Sequence, residues 1–332
     1  MEQWPDIYFT PEYGRLYEEL EGGSFQEYSY EDENGRIVCP FLLRPLTQYS
    51  GFEQYCDLVT PYGYGGPVVL HCREGRREAL VDAFCREFGA FCAKNRVVSF
   101  FVRFHPLLNN AADFQSAFDE VFFCRHTVAI DLHRDLFTEE FSPYVRRYYR
   151  KASKEMEVQI DRDLQTLDTF RTIYLASMRE KHASAYYFFN GQYFENLRTR
   201  LAGHVELYNA VSSGRIVASL MLMKYGGFSH FHLMANSEEA YRNHASLLLQ
   251  AESMLQMKRE GYRLNHLGGG LSADPDDSLY RFKRNFSQDP PCDFYIGKSV
   301  YDREAYDALC RLRERQNGEA LAGNGFFPLY RA

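Results

Sequence analysis

Three groups of residues have types and spacings suited to chemistry. His230 and His232 flank Phe231, so in a strand both imidazoles share one face, where one can serve as a general base near neutral pH. The pair is also a fragment of a metal site, but no third ligand stands at a workable spacing, and simple hydrogen bonding is the plainer use of at least one ring. Arg146, Arg147, Arg150, Lys151 and Lys154 crowd a short stretch opened by Ser142-Pro143. Such a cluster can hold phosphate groups, or can be the solvated face of a helix. The third group is Leu267-Gly268-Gly269-Gly270 followed by Ser278-Leu279-Tyr280-Arg281-Phe282-Lys283-Arg284-Asn285-Phe286. Glycines at a strand end let backbone approach a ligand or form a tight turn. No Gly-Lys-Ser/Thr follows them and no G-x-G-x-x-G precedes a helix, which excludes a nucleoside-triphosphate loop and a dinucleotide fingerprint.

These residues need a scaffold, and apolar periodicity outlines one. Thr10-Pro11 caps a helix carrying Tyr13, Leu16, Tyr17 and Leu20, stopped by Gly22-Gly23. Strand-like stretches 26–30 and 36–43 flank the turn Asp32-Glu33-Asn34-Gly35 as a hairpin. The loop Pro61-Tyr62-Gly63-Tyr64-Gly65-Gly66-Pro67 leads to a short strand at 68–70, and Tyr62 or Tyr64 is expected to face a ligand. A helix over 78–94, with Leu80, Ala83, Phe84, Phe88 and Phe91 on one face, precedes a buried strand at 97–104. About 165 residues later the plan recurs: a helix over 245–260 bearing Leu247, Leu248, Ala251, Met254 and Leu255, then a strand at 262–267. Before it come a strand at 158–160, a helix near 166–181, paired strands at 205–211 and 215–224, and a strand at 228–234. Asp302 caps a last helix to about 315, and the Gly-rich end reads as a loosely held tail.

The chain of 332 residues suits two cores, and with 45% hydrophobic residues, 25 Tyr and 27 Phe both can be well filled. A formal charge of -7 argues against a broad nucleic-acid surface while leaving room for a local basic patch. The eight cysteines form no C-x-x-C pair and have no close His partner, so they read as reduced thiols. Cys85 and Cys92 fall on the apolar helical stripe. The start Met1–Asp6 is acidic, and no stretch reaches the ~20 apolar residues of a membrane span, so a cytoplasmic protein without a metal is expected.

A strand ending in Leu-Gly-Gly-Gly, a short acidic loop and Ser-Leu-x-x-Phe-Lys-x-x-Phe resembles the C-terminal GNAT domain of the Fem family of non-ribosomal peptidyltransferases and of BioF2-like acyltransferases. The basic helix around Arg150 and the Pro-Tyr-Gly-Tyr-Gly-Gly-Pro loop are similar to that group too, so the resemblance covers nearly the whole chain. It implies an α/β (α+β) protein of two tandem GNAT-like domains, each a mixed central sheet flanked by helices. Residues 1–141 would form the acceptor side, 142–157 a basic junction helix, 158–317 the donor side and 318–332 the tail.

The resemblance also implies acyl or aminoacyl transfer to an amine. The family's active-site lysine maps onto Lys283, beside the substrate-binding Phe282, and a positioned ammonium suits the oxyanion that forms when a carbonyl is attacked. His232 is the accompanying base candidate, and Tyr62, Tyr64, Arg150 and Lys151 are the acceptor-binding candidates. Donor-binding candidates are Gly268, Gly269 and Gly270 together with Asn236, Asn243 and Ser246, which lie where a strand end meets the N-terminus of the 245–260 helix. The usual Gly-rich pyrophosphate loop is replaced there by residues 236–243. No nucleophile elbow occurs, so direct transfer is expected. The leading expectation is an N-acyltransferase moving an acyl group from acyl-CoA to an amine of a cell-envelope precursor or amino sugar. The alternatives are an aminoacyl-tRNA-dependent peptidyltransferase acting on a peptidoglycan precursor, and a catalytically silent binding module.

Overall fold

The computed structural model describes residues 4–318, 320–321 and 326–332. The first three residues of the acidic N-terminal stretch, and parts of the expected tail, therefore lie outside the described residues. The chain forms two compact units, one from residues 4–124 and 293–332, the other from residues 125–292.

In the first unit the Thr10 hydroxyl accepts from the Tyr13 amide at 3.2 Å and Gly22 ends the helical run at φ +65. Strands β1 (Ser24–Asp32) and β2 (Gly35–Pro45) form the expected antiparallel hairpin. Asp32 Oδ1 accepts from the Asn34 and Gly35 amides and so fixes its turn. Strand β3 (Cys56–Val59) continues the antiparallel pairing on β2, and β4 (Val68–Cys72) pairs with the start of β2. The helix Arg77–Lys94 then leads to β5 (Val97–Arg103), which runs parallel to β3. Its apolar stripe buries Leu80, Phe84, Phe88 and Cys92 against Phe41 and Phe100, with the Phe84 and Phe88 rings stacked at 5.5 Å.

The second unit contains β6 (Glu120–Asp131, paired through residues 127–131), β7 (Glu157–Asp161), β8 (Val205–Ser212), β9 (Arg215–Tyr225), β10 (Phe228–Asn236) and β11 (Leu264–Gly269). Their order is β6-β11-β10-β9-β8-β7, and β10 with β11 is the parallel step. The helix Ala245–Arg259 connects that parallel pair and buries Leu247, Leu248, Ala251 and Met254 on the sheet. Back in the first unit, β12 (Cys292–Val300) pairs antiparallel with β5. Each unit thus has an antiparallel meander, a parallel step across a helix and an antiparallel closing strand, the mixed α/β plan expected twice over.

Two expectations about organisation are corrected. The chain changes unit at 124/125 and again at 292/293 rather than within 142–157. The basic helix, Pro143–Glu155, is part of the second unit because Val145 and Ala152 are buried in that unit's core. Nor is the C-terminal tail loose where it is described. Tyr330 is fully buried, its hydroxyl lies 2.9 Å from Ser99 Oγ, and it donates to Asp57 Oδ2 at 3.0 Å. Asp57 also accepts from Arg44 Nε at 2.7 Å and pairs with Arg331. Flanking polarity had concealed how few apolar residues such docking requires.

Asp57 and Arg44 are buried at 0% and 8% exposure. Asp57→Ala would leave Arg44 without its nearest counter-charge, and is expected to lower the unfolding free energy by about 3–5 kcal/mol in urea titrations. A loss below about 1 kcal/mol would show that the cluster does not anchor the C-terminal segment.

Candidate active site

The sequence that places Lys283 is a capped single helix, Ser278–Arg284. Asp277 is its N-cap and accepts from the Tyr280 amide at 2.9 Å, while the other carboxylate oxygen accepts from the Leu271 and Ser272 amides at 3.0 and 3.1 Å. These backbone bonds, the one from Tyr280 foremost, hold the Asp277 carboxyl below its ordinary range. Phe282 and Phe286, four residues apart, share a face. Phe286 is fully buried, Phe282 packs against the same core, and their rings lie 5.6 Å apart.

With the helix so seated, Lys283 Nζ donates to the Gly269 carbonyl at 2.7 Å, at the end of β11. Burial pushes the Lys283 ammonium down to about 8; the Asp277 charge opposes that shift and Arg125 adds to it. Gly268 has φ +74, and a Cβ at Gly270 would come within 2.3 Å of Asp277 Oδ1 and 2.9 Å of Tyr280 Cβ. The glycine run therefore lets the strand end pack closely against this helix, a use within the chain itself that the sequence reading had not separated from ligand approach.

His232 lies on β10 where the pairing with β9 shifts register between Phe231 and Leu233, so the simple alternation assumed for His230 and His232 is broken by a bulge. Its Nε2 is 2.7 Å from the hydroxyl of Tyr193, on the helix Gly191–Arg200. Burial, and then the neighbouring His230, push His232 down to about 3. An imidazole with so low a pKa is a weak proton acceptor at neutral pH, which suits a hydrogen-bonding role better than that of general base. His230 is itself buried, its ring edge-on to His266 at 5.6 Å.

Where the sequence departs from a Gly-rich loop, Ser237 caps a short helix, Glu238–Arg242, followed by Asn243 and then by His244 at φ +58. Asn236 and Ser246 bond to each other, Oγ to Oδ1 at 2.8 Å. The His244 ring lies 4.0 Å from that of Tyr148 on the basic helix, which packs along Ala245–Arg259. Arg150 and Lys151 are exposed, as are Arg147 and Lys154, whereas Arg146 turns back to donate to the Phe137 carbonyl at 2.9 Å. Burial and the nearby Lys151 charge lower the pKa of His244.

Tyr62 and Tyr64 belong to the first unit, and both are half-buried, so each keeps some open surface. The Tyr13 hydroxyl donates to the Tyr62 carbonyl at 2.6 Å, and the Tyr64 ring lies 5.3 Å from Tyr8 and 5.2 Å from Phe294. Asn110 Nδ2 donates to the carbonyls of Gly65 and Pro67, each at 2.8 Å, and so fixes the loop.

Within the second unit the structure thus joins Lys283, Phe282 and Gly268–Gly270 at one strand end. Asn236, Asn243 and Ser246 gather instead at the start of Ala245–Arg259, near the basic helix. Sequence reasoning missed Arg125, Tyr193, Tyr148 and Asp277. Only the last had a legible signal, an Asp directly before an amphipathic run.

Residues 140–284 match the family model for an acetyltransferase (GNAT) domain. The UDP-N-acetylmuramoylpentapeptide-lysine N(6)-alanyltransferase of Weissella viridescens is 27% identical over 180 residues, 53% of this chain and 51% of that protein. The chain therefore spans about half the length of the curated relative it matches. Among solved structures, the crystal structure of FemX superimposes with a TM-score of 0.69 at 13% identity, covering 91% of this chain and 94% of that one. A tandem GNAT protein from the clavulanic acid biosynthesis pathway does so with a TM-score of 0.50 at 12% identity, covering 84% and 83%. At such identities these two structures speak to the fold alone.

The His232 ring signals followed by NMR are expected to stay at neutral-imidazole positions between about pH 5 and pH 8. A titration midpoint near the ordinary value of about 6.5 would restore His232 as a neutral-pH base.

Proposed function

We propose that this chain, an acyltransferase enzyme of the GNAT/Fem superfamily, transfers an aminoacyl group from an aminoacyl-tRNA to an amine of a nucleotide-linked peptidoglycan precursor in the cytoplasm. The observation that carries the reading is the half-buried Lys283, its ammonium fixed 2.7 Å from the Gly269 carbonyl at a strand end. When the acceptor amine attacks the ester carbonyl carbon, negative charge collects on the carbonyl oxygen. A desolvated, immobile cation lowers the energy of that state more than it lowers the energy of the bound ester. The tetrahedral species then collapses: the ester C–O bond breaks and the ribose hydroxyl leaves with the proton that the amine gives up.

The alanyltransferase likeness supports an aminoacyl donor. So do the exposed cations Arg147, Arg150, Lys151 and Lys154 on the helix beside Ala245–Arg259, a local patch suited to phosphates on a chain of net charge -7. Tyr62 and Tyr64 are the proposed acceptor-side contacts. No helix among the described residues is long and apolar enough to cross a membrane, in keeping with an acceptor that is not reached through a membrane span.

A second reading, acyl-CoA as donor, is favoured by the match to the acetyltransferase domain model. Against it, Asn236 and Ser246 are bonded to each other, and a capped helix stands where a pyrophosphate loop would lie.

Purified protein offered radiolabelled alanyl-tRNA or acetyl-CoA, with a UDP-linked muramoyl pentapeptide, should label the acceptor from the tRNA only. Labelling from acetyl-CoA alone would establish the second reading. Lys283→Ala is expected to lower kcat about 10²–10³-fold with the fold intact, and Lys283→Arg to recover little of it. The ammonium is the active form and its pKa is about 8, so the rate should fall as pH rises through that value. A wild-type rate in Lys283→Ala would remove the lysine from the mechanism.

A further inference from the structure

The end of β11 holds a second cation that no motif marked. Arg125 lies on β6, the strand paired antiparallel with β11, and its Nη1 donates to the Gly270 carbonyl at 2.8 Å. The preceding carbonyl, Gly269, receives Lys283 Nζ at 2.7 Å. Two cations, one from β6 and one from the capped helix, thus hold consecutive carbonyls. The Arg125 stem lies against the glycine itself: a Cβ on Gly269 would come within 3.0 Å of Arg125 Cδ and 2.8 Å of the His126 carbonyl oxygen. Arg125 Nε is buried and has no hydrogen-bond partner among the described residues. A guanidinium held by one nitrogen, with another N–H kept dry, is costly to maintain for strand geometry alone.

Resting on the Lys283 reading above, we propose that Arg125 is a positioning residue for Lys283, fixing the Gly269-Gly270 backbone that orients the ammonium and setting the charge around it. Both effects follow from its place. Locking the Gly270 carbonyl stops the strand end from rotating, and so keeps the Gly269 oxygen aimed at Nζ. The ionised groups whose fields reach Lys283 are Asp277, from the helix cap, and Arg125, from β6; the first favours the ammonium and the second disfavours it. The cations on the lysine's own helix are directed elsewhere, Arg281 toward Asp276 at 3.7 Å and Arg284 to the Asp289 carbonyl at 2.6 Å. Burial lowers the Lys283 pKa most, and Arg125 adds to that shift against the cap carboxylate, so the arginine helps set the pH up to which Lys283 remains an ammonium.

The test separates charge from geometry. In full-length protein labelled with 15N-lysine, the Lys283 signal is assigned by its loss in Lys283→Arg and titrated. The midpoint, near 8 in the native protein, should rise by about half a unit or more in Arg125→Gln and stay in place in Arg125→Lys, which keeps the charge. Both variants should lose about tenfold in kcat with little change in KM, because neither reproduces the planar donor on Gly270. An unmoved midpoint in Arg125→Gln, or a native kcat in Arg125→Lys, overturns the proposal. Should the glutamine variant not fold, the lysine variant decides by its kcat. The NMR arm does not depend on catalysis. An active Lys283→Ala alongside a shifted midpoint refutes the catalytic reading and keeps the Arg125 coupling, whereas an inactive Lys283→Ala alongside an unmoved midpoint does the reverse.

Discussion

A lysine ammonium drawn out of water loses hydration worth several kcal/mol, so Lys283 can stay at the end of β11 only while its surroundings are held still. Its ammonium donates to the Gly269 carbonyl, and the rest of the second unit is arranged around that contact. Asp277 caps the lysine's helix, ties down the amides of Leu271 and Ser272, and supplies the nearest opposing charge. Three duties fall on one carboxylate because the glycine run brings strand and helix close enough for it to reach all of them.

The contact is braced from behind by the basic helix. Ser142 Oγ accepts from the Val145 amide to cap that helix and donates to Asn285 Oδ1 at 3.1 Å, while its amide donates to the Asn285 carbonyl at 2.9 Å. Fully buried Glu140 accepts from the Gln288 amide at 2.8 Å and pairs with Arg134. The start of the helix that carries Arg150 and Lys151 is thereby joined to the end of the helix that carries Lys283. Tyr149, on the same basic helix, donates to Glu252 at 2.6 Å and fixes it to Ala245–Arg259. The exposed cations and the half-buried one consequently belong to one hydrogen-bonded assembly resting on a single apolar core.

Much of this scaffold was legible because it is written in local periodicity. The caps at Thr10, Ser142 and Asp302, the hairpin at Asp32-Glu33-Asn34-Gly35, and the two helices that connect parallel strands all depend on neighbours within a few residues. The strands that went unread, β3, β6 and β12, have no such signature. Strand β3 is four residues long and wholly buried, and β6 and β12 mix buried and half-exposed positions without strict alternation. Each is a strand because it completes a ladder with segments distant in the chain: β3 between β2 and β5, β6 on β11, and β12 on β5. For the same reason the unit boundaries fell at 124/125 and 292/293 instead of at the charged helix.

For the site, sequence alone determined which residue types were present and which stood near one another along the chain: a lysine between two phenylalanines that share a helical face, a glycine run at a strand end, and a basic helix with a capping serine. Tertiary structure decided what each of them does. Burial pushes His232 down to about 3, too low for a base near neutrality, and Lys283 down to about 8, which leaves it largely an ammonium there. Strand pairing set Arg125, some 160 positions away in the chain, beside the lysine and the glycines. A pKa depends on the dielectric and charges within a few ångströms. Those surroundings exist only once distant segments have packed, whereas helix and turn propensities act between residues already joined by the chain.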